Sequence, residues 1–135
     1  MLDNIEHKLI KKHTVVNIGS FYYYENFMIS EIEEGVVIDL EMVMQVTDMY
    51  TKKYYGRHKP FVYIANRINS YSLNPTVHFE TAKILPNTKG YAIVTYSKMN
   101  AEIANIERPF LKIPIQIFYN MEEAIKWAED LIVHD

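Results

Sequence analysis

Two nearly continuous apolar runs, FVYIA at 61–65 and YAIVTY at 91–96, stand out from an otherwise mixed pattern of apolar and polar positions. Such runs mark strands covered on both faces, so both are expected at the centre of a sheet, with Val62, Ile64, Ile93 and Val94 buried. Upstream, the β-rich segments 18–24 and 27–32 are separated only by Glu25-Asn26, the length of a hairpin turn. The second of them alternates imperfectly, which predicts an edge position. Glu33-Glu34-Gly35 then turns the chain into a short strand, Val36-Val37-Ile38.

Helical periodicity takes over at Asp39, which reads as the N-cap of a helix reaching Tyr55, with Lys52 and Lys53 complementing the dipole of its last turn and Gly56 as its stop. Asn74 and Pro75 open a second helix that Pro86 ends. Ser97 starts a third, whose Met99, Ile103 and Ile106 lie at helical spacing before Pro109 closes it. IQIF at 115–118 is the last strand. Asn120 and Glu123 form a capping box for a final helix that faces inward with Met121, Ala124, Ile125, Ala128 and Leu131. The order is a hairpin followed by β-α-β-α-β-α-β-α. Right-handed crossovers make this an α/β fold with a mixed, mostly parallel sheet and helices packed on it. The four glycines are each read as the start or end of an element. In the opening segment, Asp3 and Glu6 make a capping pair with Ile5 and Leu9 behind them, and residues 1–13 are read as an appendage of a single domain spanning 1–135.

Composition narrows the possible functions. With 135 residues the chain can bury one core, and its formal charge of −3, with basic residues dispersed, offers no footprint for nucleic acid. Cysteine is absent, which removes thiolate catalysis, disulfides and cysteine zinc sites. The opening residues are charged and lack the apolar core of a signal peptide, and no run approaches the roughly 20 apolar residues of a membrane span. A cytoplasmic protein without membrane or nucleic-acid partners is expected.

No strand exit carries the glycines that phosphate or dinucleotide sites require, and the five histidines never fall at metal-ligand spacing. No catalytic, cofactor or metal residue is assigned, and the expectation is a protein that is not an enzyme. A phospho-receiver domain would share the element order, and Lys112 near Pro114 fits its lysine, but the aspartate cluster for magnesium is missing. His78, in apolar company on its helix, is read as a satisfied, partly buried histidine. Glu31, Glu33 and Glu34 are read as a solvated turn. Tyr22, Tyr23 and Tyr24 place rings on both faces of one strand, which β propensity and half-burial explain.

The helix from Asp39 presents more apolar surface than one face needs. At about 100° per residue, Leu40, Val43, Met44, Thr47, Thr51 and Tyr54 form a core stripe, and Met42, Val46 and Met49 form a second strip almost opposite. Either another part of the same chain covers that strip, or it is a candidate interface for a protein partner or a second copy, as in a homodimer.

The order of elements, the segment FVYIANRINSYSLNP and the ending NIERPFLKIPIQIFYNMEEAIKWAEDLI resemble small bacterial STAS-like proteins, relatives of sulphate-transporter and anti-sigma-factor-antagonist domains. The resemblance covers residues 18–133. It implies a STAS-like fold and a non-enzymatic module that acts by binding. In antagonists of that family a serine in the loop after a central strand is phosphorylated. The loop 66–74 offers Ser70 and Ser72 as candidate regulatory residues, but the family's aspartate, serine and glycine are replaced by Asn74-Pro75, so control by phosphorylation is not expected here. The alternative is a small apolar-ligand or lipid-binding protein, and the interior separates the two: a filled core favours the module, an apolar cavity of several hundred Å³ the ligand binder.

Overall fold

The computed structural model describes residue 5 and residues 7–134. The strands are β1 (Lys11–Val15), β2 (Gly19–Tyr23), β3 (Phe27–Ile32), a short β4 (Val37–Ile38), β5 (Phe61–Asn66), a short β6 (Ser72–Leu73), β7 (Thr88–Val94) and β8 (Ile115–Phe118). Helix α1 (Leu40–Val46) continues through a π-turn (Thr47–Thr51) into α2 (Lys52–Tyr55). Then come α3 (Val77–Ile84), α4 (Lys98–Ala104) with a 3-10 extension (Asn105–Phe110), and α5 (Met121–Val133). The Asp3–Glu6 capping pair lies outside the described residues.

The main sheet has the order β1-β2-β3-β5-β7-β8, antiparallel across β1, β2 and β3 and parallel from β3 to β8. The apolar runs of β5 and β7 occupy its interior, and Val62, Ile64, Ile93 and Val94 are buried as their continuous hydrophobicity predicts. Alternation then sorts the side chains. Met28, Phe61, Tyr63, Tyr91 and Ile93 point to the face covered by the α1–α2 helix, α3 and α4, whereas Phe27, Ile29, Val62, Ile64 and Val94 point to the face covered by α5.

Local signals account for most boundaries. Asp39 Oδ1 accepts from the Met42 amide, Ser97 Oγ from Asn100 and Asn120 Oδ1 from Glu123, so three helices start on side-chain caps at the expected residues. Pro86 follows the end of α3. Four readings change. The β3 strand is interior, between β2 and β5, and its imperfect alternation reflects cover on both faces. Residues 11–13 belong to the edge strand β1, paired with β2, not to an appendage; the polar KKHT gave no apolar alternation to reveal it. Gly90 lies inside β7, where a Cβ would meet Leu131 Cδ1 at 2.6 Å and the Trp127 ring at 3.1 Å; its bare backbone lets α5 pack closely. Finally, Glu31 is part of β3 and not of a turn: its carboxylate accepts from the Tyr22 hydroxyl and from Asn66 Nδ2, and only Glu33 and Glu34 are exposed.

The helix wheel of residues 40–55 fails for a definite reason. Val46, Thr51 and Tyr55 are all buried, although Val46 and Thr51 would sit about 140° apart on a regular helix of ~100° steps. The π-turn between them absorbs the extra residue and brings them onto one face. The strip of Met42, Val46 and Met49 is thereby divided. Val46, only 6% exposed, and the half-buried Met42 belong to the chain's own core, while Met49 is 50% exposed.

Candidate functional site

Between the sheet and the helices α1 and α3 lies an apolar cavity of about 680 Å³. Ile38, Met42, Val46 and Leu73 line it together with Tyr63, Tyr71 and Tyr91. Thr47 and Thr51, from the π-turn, add hydroxyls to the lining. The exposed lining residues Phe79, Lys83 and Lys112 place the mouth between α3 and the segment after the 3-10 extension. The size falls within the roughly 300–1,000 Å³ of small-molecule sites.

A buried polar cluster stands at one end of the cavity. Arg67 follows β5 at the carboxyl end of the parallel strands, anchored by its backbone amide to the Val94 carbonyl. Each nitrogen of its guanidinium has a partner: Nη1 pairs with Glu107 Oε2 at 2.5 Å, Nε donates to the Tyr71 hydroxyl at 3.1 Å and Nη2 to the Tyr91 hydroxyl at 3.2 Å. The other oxygen of Glu107 lies 2.8 Å from His78 Nε2. One carboxylate from the 3-10 extension therefore ties α3 to the end of β5. Tyr63 stacks on Tyr91, and Tyr91 meets the His78 ring edge to face.

Electrostatics follow from this packing. Burial works against the Glu107 carboxylate, but hydrogen bonds from His78 and Arg67 outweigh it and hold its pKa below the ordinary value. Burial likewise opposes the charge of Arg67, yet the Tyr91 and Tyr71 oxygens and the Glu107 carboxylate keep it firmly protonated. Burial pushes the phenols of Tyr71 and Tyr91 up, so both are neutral hydroxyls.

The structure brings Met42 and Val46 to this site and keeps Met49 away from it. Ser70 and Ser72 are both exposed; the Ser70 amide donates to the Glu34 carboxylate, and Ser72 opens β6, which pairs with β4. His78 is buried, and of the expected satisfied histidine the structure shows half: Nε2 is bonded to Glu107 and Nδ1 is not bonded to a described residue. Arg67 and Glu107 were not singled out in the sequence. Their signals were faint: Arg67 is the first charge after an apolar strand, and Glu107 continues the three-residue spacing of Ala101 and Ala104, both buried. Met99, Ile103 and Ile106 instead lie on the outer side of that helix, 55–70% exposed, because the small face is the one that approaches the sheet.

A family model described as a domain of unknown function, DUF7793, matches residues 21–132. The chain belongs to that family. No curated protein and no solved structure matches it. The matched span of the DUF7793 domain holds Arg67, Tyr71, His78, Tyr91 and Glu107 together with the cavity lining except Ile18, and leaves out the edge strand β1.

Proposed function

We propose that this protein binds a small, largely apolar ligand between its sheet and the helices α1 and α3. The observation that carries the reading is the cavity itself: about 680 Å³, walled by aliphatic and aromatic side chains, with a few polar groups at one end. That combination is the usual composition of a ligand site. Of the two roles anticipated, interaction module and ligand binder, the hollow interior favours the second. The role is binding and not catalysis. A STAS-like kinship belongs to the same proposal, supported by the order of elements from the hairpin onward.

Saturable enhancement of a polarity-sensitive naphthalene dye tests the reading. Wild type is expected to bind the dye with one site per chain. Met42→Trp, which adds an indole to the cavity wall at a half-buried position, should weaken that binding at least about tenfold, because the lost volume can no longer accept apolar surface. Equal dye binding by both proteins would place the dye elsewhere and remove the support for this site.

A further inference from the structure

The cavity wall contains a polar side chain whose hydrogen-bonding capacity the fold uses only by half, and its role as a ligand contact rests on the cavity being a ligand site. His78 Nε2 faces Glu107 Oε1 at 2.8 Å, and the same carboxylate is paired with Arg67. An ionised carboxylate only accepts hydrogen bonds, so in the neutral imidazole the proton sits on Nε2 and Nδ1 is left as an acceptor. Nδ1 has no hydrogen bond to a described residue. The sealed side-chain atoms without a partner, among the described residues, are Ser30 Oγ and Asn87 Oδ1, and this nitrogen is not one of them. His78 is 8% exposed and is one of the residues that line the cavity. The edge-to-face contact with Tyr91, at 5.1 Å, fixes the ring.

An acceptor in an apolar wall selects its occupant. A ligand that brings an O–H pairs with it; a ligand that brings only acceptors leaves a desolvated lone pair unmatched. With the imidazole neutral a carboxylate is disfavoured on the same wall, because Nδ1 then offers it no proton and the positive charge of Arg67 is already matched by Glu107. We propose that the ligand is a neutral amphiphile carrying a hydroxyl group, its apolar body against Met42, Val46 and Leu73 and its hydroxyl donating to His78 Nδ1. Glu107 and Arg67 act as positioning residues that set the tautomer and aim the ring.

Three probes that share one chain length test this: decanol, decyl methyl ether and decanoate, each used to displace the naphthalene dye at neutral pH, with nitrogen NMR of the His78 ring followed in parallel. Decanol should displace the dye about fivefold more effectively than the ether, the worth of one net hydrogen bond, and should move the Nδ1 resonance while the ether leaves it in place. In His78→Phe the two should compete equally. Should that variant fail to fold, the resonance shift in the unaltered protein decides. Equal competition by decanol and ether with an unmoved Nδ1 signal, or strongest competition by decanoate, would overturn the assignment while leaving the cavity a ligand site. Failure of the dye and of all three probes to bind would overturn the cavity reading, and this inference with it.

Discussion

Glu107 couples protonation to folding, because its two oxygens are held by donors from two other elements in a setting that water barely reaches. Removing one partner of a buried pair leaves the other uncompensated, at roughly 3–5 kcal/mol. Glu107→Gln should fall at the low end, about 3 kcal/mol at neutral pH, since the amide still offers Arg67 an acceptor. The pH dependence follows from the direction of the shift. The folded carboxyl lies below its ordinary value of 4.5, so its contribution is complete above that value and is lost as pH falls through the folded pKa. Urea midpoints of wild type and Glu107→Gln should therefore differ by a constant amount above about pH 5 and converge on acidification below it. A difference that persisted undiminished into acid would show that the carboxylate charge is not what the variant removed. Little of this pair was legible in the sequence, because Glu107 and Arg67 lie forty residues apart and a charge in a run such as IERP reads as a solvated one. The face that carries it was not read either: the helix was placed by the spacing of Met99, Ile103 and Ile106, whereas its buried side is Ala101, Ala104 and Glu107.

At the scale of elements, the sequence was most informative where one residue type performs one local task. Asp39, Ser97 and Asn120 cap the helices they were expected to cap, since an N-cap depends on a side chain and on an amide two or three residues away. It was least informative where a helix departs from constant rotation or is held to the sheet by alanines. The π-turn at Thr47–Thr51 turned one apparent strip of methionine and valine partly inward and partly outward, and no fixed angular step could have anticipated it. The edge strand β1 escaped notice because an edge of polar residues carries no apolar alternation. The α5 helix combines a legible cap with a legible stripe, and it alone among the described helices covers its face of the sheet. Deleting residues 121–135 strips Met121 and Ile125 from that face and uncovers Val62, Ile64 and Val94. Each large side chain is worth roughly 1.5–3 kcal/mol, against about 5–15 kcal/mol of total stability. The truncated chain should show no cooperative melting transition by circular dichroism, and one near the full-length temperature would mean that this face is dispensable.

Across the whole molecule the two faces of the sheet are built to different specifications. On the α5 side, Gly90 allows Leu131 and Trp127 to press against the strand, and Val62, Ile64 and Val94 are buried beneath the helix. On the other side, Tyr63, Tyr71, Tyr91 and the Arg67–Glu107–His78 cluster tie the helices to the sheet at one end, and the cavity lies between Val46, Leu73 and α3. Apolar side chains that line a cavity make fewer dispersion contacts than close-packed ones, so this is a face that an occupant can reinforce. A ligand that binds only the folded state adds stability as the logarithm of its concentration, about 2.7 kcal/mol at one hundred times its Kd. For a domain of this size each kcal/mol is worth roughly 3–5 °C, so decanol at that level should raise Tm by about 10 °C. Met42→Trp, with the cavity partly filled from within, should melt at a temperature almost insensitive to decanol. The paired measurement separates a specific effect from a general one: alcohols that only perturb the solvent lower both transitions alike, whereas filling of the cavity raises the wild-type transition and leaves that of the variant where it was. A fall in Tm for both proteins at every decanol concentration would show that the space does not take the ligand.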